Sequence, residues 1–450
     1  MRTIFITTFI ALEVKNILRT GIVDKLLEDP NIRVVLLMKN DIRVEHFKKE
    51  FNHPRMVYEA VAAPKSKGLD AVFSGLKYTL LRTDTTIWRR KLLFTDNKNY
   101  LHYWSGAALN FIFANSFFRR IARALDYRLI KTDIYANLFD KYKPDLVFLG
   151  YLFDEEEIHL LREAKRRGVK TVGFINTWDR ITARCILRLL PDKFVVFNDI
   201  VKEELILCDE AEEKNIFVAG LPQYDFYFNK KFSSKELFFE RLGIDMSQKL
   251  FVYAPLGSSL TGSDWDAIDY LYSLNKAGKF GENIKILVRF QPNDFIDEAG
   301  LKKRPYLLYD YPGVRYARER GGDWDMTFDD LNHLHDTLWH MSLLICYASS
   351  LSVDAALLDK PVININFAVK NESPMRLPTR LYHLAHYKKA LRTGGIRLVG
   401  DETELVSWVK KYLAEPALDR EKRKILADEQ CKFSDGKSAE RISKFISSQI

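Results

Sequence analysis

Short apolar runs alternate with helix-patterned segments along most of the chain, and that alternation restricts the fold more than any other feature. Strands are predicted at Thr3–Ile10, Arg33–Met38, Met56–Ala60, Asp145–Gly150, Thr171–Ile175, Lys193–Phe197 and Asn215–Ala219. Helical spacing appears at Ile17–Leu27, Val44–Phe51, Glu155–Arg167 and Ile200–Leu207. A second set follows, with strands at Leu250–Ala254, Ile284–Phe290, Val314–Tyr316, Leu343–Tyr347 and Val362–Asn366 and a clear helix at Ser349–Leu358. Runs that are apolar at consecutive positions are buried on both faces, and strands alternating with helices make a parallel sheet. At about 100–200 residues per domain, 450 residues allow two or three. The expectation is α/β: two Rossmann-like, doubly wound parallel-sheet domains facing a cleft.

The expected boundaries are 1–230 for an acceptor-binding domain and 249–420 for a nucleotide-donor domain, with a polar, basic linker at 231–248 and a C-terminal helix at 421–450. Residues 65–140 interrupt the first set as a helical insertion. Within it, Arg82 to Lys131 holds ten Lys/Arg against Asp84, Asp96 and Asp126, interleaved with aromatic residues such as Trp88, Tyr100, Trp104, Phe111 and Phe117. Two readings stay open. Either the aromatics are core and the charges a solvated face, or the segment docks on an anionic membrane through cations such as Arg89, Arg90, Arg119 and Arg120. The aromatics follow no nucleic-acid-binding pattern, so no nucleic acid is expected.

Composition removes other classes. With 47% hydrophobic and 29% charged residues the chain is globular, not collagen-like, low-complexity or disordered. The net charge of +9 is small beside 69 cations and 60 anions. Cys185, Cys208, Cys346 and Cys431 lie far apart without zinc spacing, which reads as reduced thiols in a cytoplasmic protein. The apolar start to Leu12 ends at Glu13 without a small-residue cleavage site and reads as a first strand rather than a signal peptide. No run reaches the ~20 apolar residues of a membrane span.

In doubly wound sheets ligands bind beyond the carboxyl ends of the strands. Five segments qualify, one of them, VAGLPQYD (218–225), only as a strand followed by a Gly-Pro turn. Ser349 and Ser350 precede a helix, either as an anion site for a phosphate or as a plain cap; Asp354, one turn in, either takes a ribose hydroxyl or faces solvent. Arg289 and Gln291 end a strand, where Arg289 either clamps a phosphate or forms an ion pair. Gly257-Ser258 follows a strand without the P-loop pattern. Trp178-Asp179-Arg180 ends another, with Asp179 as a base, a hydroxyl clamp or a cap. The candidate bases are Asp179, Glu13, Asp154 and Glu155. His333, His335 and His340 around Asp336 lack HExxH spacing, and no metal is expected.

Taken together, INTWDRIT (175–182), FVVFN (194–198), VAGLPQYD (218–225), LVRFQPN (287–293), HLHDTLWHMSLLICYASSLSVDAALLDKPVI (333–363) and DGKSAERI (435–442) resemble the GT-B glycosyltransferase superfamily. The resemblance is to bacterial surface-carbohydrate and capsule enzymes bordering on CDP-glycerol glycerophosphotransferases and UDP-N-acetylglucosamine 2-epimerases, over about residues 140–445. It implies a GT-B-like fold and a sugar moved from a nucleotide-sugar donor, without metal or other cofactor, to a surface-polysaccharide or lipid-linked glycan acceptor. The enzyme would be cytoplasmic or peripheral on the inner face of the membrane. Arg289, Gln291, the Ser349/Ser350 helix start and Gly257-Ser258 would hold the donor phosphates. Glycerophosphotransferases usually carry His-Pro where this chain has Gln291-Pro292, and Asp-Tyr before the paired serines where it has Tyr347-Ala348; these departures favour a sugar transferase. The alternatives are a glycerol-phosphate transferase, an epimerase, or a non-catalytic nucleotide-binding assembly protein.

Overall fold

The structure is a computed structural model describing residues 1–316 and 324–450. The chain forms two compact units. One comprises Met1–Phe94, Asn99–Phe226 and Cys431–Ile450; the other comprises Thr95–Lys98 and Tyr227–Gln430.

The first unit carries β1 (Arg2–Thr7), β2 (Ile32–Met38), β3 (Met56–Ala60), β4 (Leu146–Leu149), β5 (Lys170–Ile175), β6 (Lys193–Val196) and β7 (Ile216–Val218). They form one parallel sheet in the order β3-β2-β1-β4-β5-β6-β7. Ile4, Phe5 and Ile6 of β1 and every residue of β4 are buried, as strands covered on both faces must be. The segment patterned as one helix over 17–27 is two, Ala11–Ile17 and Ile22–Leu27, broken at Gly21 with φ 81°. Residues 65–140 are helical as expected, with helices at Leu69–Thr79, Asp84–Asn97, Tyr100–Phe113, Ser116–Leu129 and Ala136–Tyr142.

The second unit carries β8 (Lys249–Ala254), β9 (Ile284–Arg289), β10 (Leu308–Asp310), β11 (Val314–Arg315), β12 (Trp324–Asp325), β13 (Leu343–Cys346), β14 (Val362–Ile365) and β15 (Arg397–Val399). Its main sheet is parallel in the order β10-β9-β8-β13-β14-β15. Val314–Tyr316 is not part of it. β11 pairs antiparallel with β12, because Pro312-Gly313 turns the chain away after β10 takes the edge. The edge strands β10 and β15, three residues each and half exposed, carry too little apolar pattern to be read from sequence. The polar stretch 231–248 holds the helix Lys235–Leu242, whose Phe238 and Phe239 are buried.

Two of the motifs that carried the resemblance meet in the first unit. Asp225 of VAGLPQYD accepts hydrogen bonds from the backbone N–H groups of Ser438 (2.9 Å) and Ala439 (2.8 Å) of DGKSAERI. It thus caps the helix Ser438–Ser447, while Arg441 Nε returns a bond to Ala219 O (3.0 Å). Gly220 has φ 85°, and a Cβ there would lie 2.4 Å from Ser438 Oγ. Gly168 has φ 68° with nothing within 4 Å of its would-be Cβ. Gly168→Ala is therefore expected to lose about 1 kcal/mol from its left-handed backbone alone. Gly220→Ala should lose a further ~1–3 kcal/mol from crowding in this clasp, and urea midpoints of the two variants measure the difference.

Candidate functional site

In the second unit the strand order reverses between β8 and β13, which are paired at Ala254↔Cys346. The loops after these strands therefore share one edge. Gly257-Ser258 and Ser349-Ser350 follow these two paired strands, and Arg289 and Gln291 stand at the end of the neighbouring β9. This is the edge at which a doubly wound sheet holds a ligand.

The loop after β8 is held by carboxylates. Leu256 N and Gly257 N donate to Asp264 (3.0 and 2.7 Å), and Ser258 N donates to Asp294 Oδ2 (2.5 Å). Glu372 accepts from Gly262 N and Thr261 Oγ1, both at 2.6 Å. Burial pushes the Asp264 carboxyl up to about 6 against those backbone bonds, with Asp294 and Glu372 adding repulsion. The Gly257-Ser258 N–H groups expected to face phosphate thus point at protein oxygens. A small cavity of about 120 Å³ borders the loop, lined by Gly257, Asp264, Trp265, Phe290, Gln291 and Asp294 among others. Gln291 Nε2 donates to Leu256 O (2.5 Å) and ties the ends of β8 and β9 together.

At β13 the cap reading is realised: Leu351 N donates to Ser349 Oγ (3.2 Å), while Ser350 is exposed and makes no side-chain cap. Tyr387 reaches this start, accepting from Ser349 N (3.3 Å) and donating to Asn364 Oδ1 (2.6 Å). Asp354 is buried, does not face solvent, and accepts from the Tyr227 hydroxyl (2.5 Å).

Arg289 is buried and donates to Asp310 Oδ2 (3.1 Å), which also meets His333 Nε2 (2.9 Å). Burial works to raise the Asp310 carboxyl, but the His333 hydrogen bond and the Arg289 charge outweigh it and hold it low. The ion-pair reading of Arg289 is realised, and the side chain still ends at the ligand edge. His333 is separate from His335, which stacks on Phe232 at 3.8 Å, and from His340, which faces Ser233 O at 2.7 Å.

In the first unit the order reverses between β1 and β4. All four candidate bases lie at this carboxyl edge, after β1, β4 and β5, in different settings. Glu13 is fully buried and accepts from Phe9 N and Ile10 N; its Oε1 has no partner among the described residues. Its neighbour Glu157, which sequence reading missed, accepts from Thr7, Tyr151 N and Leu152 N. Burial first raises both carboxyls, Glu157 to about 7; the charge of Glu157 adds to Glu13, and that of Asp154 adds to both. Leu152, at φ 72°, is fastened by that bond. Asp154 meets Arg184 Nη2 at 3.0 Å. Burial works to raise Glu155, but Lys77 (2.8 Å), Arg188 (2.5 Å) and Ser74 hold it low, which suits an ion pair and not a base. Asp70, Glu155 and His159 bring ligand atoms within 4.8 Å of one another, but Arg188 and Lys77 already supply the positive charge. Asp179, with 36% of its side chain exposed and Arg180 at 3.8 Å, is the most accessible of the four. Beside it Arg184 donates to Tyr151 Oη at 2.6 Å.

The profile of the CDP-glycerol:poly(glycerophosphate) glycerophosphotransferase family matches residues 188–448. The chain belongs to that family. Its Gln291 and Tyr347-Ala348 departures lie inside the matched span and do not remove it. Over 270 residues the chain is 26% identical to a UDP-N,N'-diacetylbacillosamine 2-epimerase (hydrolyzing) of Legionella pneumophila, covering 56% of this chain and 63% of that relative. Among solved structures, UDP-GlcNAc 2-epimerase from Neisseria meningitidis bound to UDP-GlcNAc superposes with TM-score 0.56 at 11% identity over 100% of both chains. The wall teichoic acid polymerase TagF gives 0.51 at 13%, covering 100% of this chain and 88% of that one. The fold is GT-B-like, as the resemblance implied.

What sequence reading missed in this glycerophosphotransferase-family chain is mostly carboxylate: Glu157, Asp264, Asp294 and Glu372. Asp264 had a local signal, an acid opening the helix Asp264–Lys276 just after a Gly-Ser loop. Asp294 and Glu372 had none, because their targets lie 36 and 110 residues away.

Two outcomes are expected. Folding raises the Glu13 and Glu157 carboxyls, so the pair's stabilisation is full at low pH and is lost as pH rises through about 7. Glu13→Gln, a neutral isostere, should flatten that slope, up to ~1.4 kcal/mol per pH unit, in melting curves between mildly acidic and mildly basic pH. Arg289→Ala leaves Asp310 buried with His333 alone and should cost ~3–5 kcal/mol; Asp310→Asn in the same chain should recover part of it by chemical denaturation.

Proposed function

We propose that this chain is a transferase that takes a nucleotide-activated donor through its second unit and delivers the donor's group to a hydroxyl of a cell-envelope polymer. The observation that carries this reading is the family match over 188–448, which spans every carboxyl-edge loop of the second sheet. By family, the first reading is a polyol-phosphate transfer from a CDP-linked donor. The acceptor oxygen attacks the phosphorus attached to the polyol, CMP leaves, and the acceptor proton passes to a base. Gln291-Pro292 and Tyr347-Ala348 favour a second reading, in which a sugar leaves a nucleoside diphosphate at its anomeric carbon.

Both readings need a base for the acceptor hydroxyl, and we assign Asp179. It is half-buried and the most accessible of the four candidates at the carboxyl edge of the first sheet, whereas Glu13 is enclosed and Asp154 and Glu155 are engaged by Arg184, Lys77 and Arg188. Neither reading includes a metal; cationic side chains such as Arg289 would meet the leaving charge.

A melting-temperature panel with CDP-glycerol, UDP-sugars and free nucleotides, followed by analysis of the released nucleotide, tests the assignment. Release of CMP fixes the first reading and release of a nucleoside diphosphate the second. Neither binding nor release with any donor would leave a non-catalytic role. Asp179→Asn should lower kcat by ~10²–10⁴-fold while the donor-induced melting shift is kept; activity within a few-fold of wild type would remove Asp179 as the base.

A further inference from the structure

The second unit holds a cavity at the amino edge of its sheet, opposite the loops that follow β8, β9 and β13. β8 starts at Lys249, β13 directly after Ser342 and β14 directly after Pro361. These strands are parallel neighbours, so the three starts share one edge. A cavity of about 560 Å³ opens there. Small-molecule sites span roughly 300–1,000 Å³. The length of β8, about 17 Å at ~3.3 Å per residue, separates it from the end that carries Gly257-Ser258.

The charge of this cavity is not balanced. Among the described residues that line it, Lys249, Lys360 and Arg420 stand against one acid, Asp359. His340 lines it too, and burial favours its neutral ring. Asp359 is already occupied: Oδ2 accepts from Arg420 Nε (2.6 Å) and Oδ1 from Arg423 Nε (2.9 Å). Lys360 is half-buried, and its Nζ, over the Trp339 ring at 5.4 Å, has no hydrogen-bond or ion-pair partner among the described residues. Burial lowers its ammonium, with Asp359 pulling the other way. Lys249 Nζ and Ser342 Oγ have no such partner among the described residues either. Leu358, Pro361, Leu413 and Pro416 complete the wall with apolar surface. The helices Phe328–His340 and Glu402–Ala414 end at this edge, and cations suit such ends. That accounts for lysines on an open surface. It does not account for an amine drawn half out of water beside an apolar wall, where a lysine ordinarily snorkels to solvent.

We propose that this cavity binds a small phosphate monoester with an apolar body. Lys249 and Lys360, two ammonium groups without a counter-ion among the described residues, match the charge of about −1.5 to −2 that such a phosphate carries at neutral pH. A carboxylate would leave one of them unanswered. The Ser342 hydroxyl supplies a further donor, and Leu358, Leu413 and Pro416 take the body of the ligand. The occupant lies at the opposite ends of the strands from the loops assigned to a nucleotide-linked donor, so the two do not compete. The inference therefore does not depend on the transferase reading.

The test uses para-fluorophenyl phosphate as the probe, followed by fluorine NMR with the full chain. Saturable binding of one probe per chain is expected, and para-fluorobenzoate, with a single charge, should bind about tenfold more weakly or worse. Lys360→Gln and Lys249→Gln should each weaken the phosphate probe about tenfold or more while keeping the wild-type melting curve. Lys249 is exposed, so its variant decides the question even where Lys360→Gln alters the fold. CDP-glycerol and UDP-GlcNAc, phosphodiesters without a terminal phosphate, should not displace the probe. Undiminished binding in Lys249→Gln, displacement by either donor, equal affinity for the benzoate, or no saturable binding would each overturn the proposal. If neither donor raises the melting temperature, the transferase reading fails while the lysine variants still decide this one.

Discussion

A parallel sheet leaves its strand-end loops with backbone N–H groups that have no sheet partner, and burying them unpaired is costly. This protein meets that constraint with carboxylates. Glu13 and Glu157 hold the loops after β1 and β4, and Asp264, Asp294 and Glu372 hold the loop after β8. Both strand-order reversals are thus organised by acids that each accept from more than one donor, all of them buried except the half-buried Asp264 and Glu372. The accessible chemistry at each edge is what remains after that work: Asp179 beside the Arg184–Tyr151 contact in one unit, and Ser350, Gln291 and the Arg289–Asp310–His333 chain in the other.

The same acids explain where sequence reading reached and where it stopped. The central strands were legible because each is a run of consecutive apolar residues that no solvated element tolerates. The carboxyl edges were legible too, since the ends of the neighbouring strands β9, β8 and β13 lie side by side in a doubly wound sheet. What was not legible is which partner each polar group finds. The Gly257 and Ser258 N–H groups find Asp264 and Asp294. Asp354 meets Tyr227, a partner 127 residues away that its spacing does not name. A spacing pattern locates a side chain along the chain but does not say which distant carboxylate comes to meet it.

The helical insertion shows the limit differently. The four-residue spacing of Phe117, Ile121, Leu125 and Leu129 reveals a stripe but not its direction. Two inward arginines satisfied by Asp209 and Glu210, and an inward aspartate by Arg162 and Arg188, turn the stripe outward. Those partners come from segments 36 to 91 residues away, beyond the reach of local pattern.

The clasp between Asp225 and the helix Ser438–Ser447 has a consequence for synthesis. The first unit is discontinuous: its sheet is complete by β7, yet the helix capped by Asp225 arrives only after the whole of Tyr227–Gln430 has been made. On the ribosome the second unit, apart from four residues, is a continuous stretch able to close on itself while the first still lacks its last helix. Until then Asp225, Gly220 and the surface around Ile22–Leu27 stand uncovered. The order of completion is the reverse of the order of translation, and a nascent chain stalled inside the second unit would present an unfinished first one to the cell's chaperones.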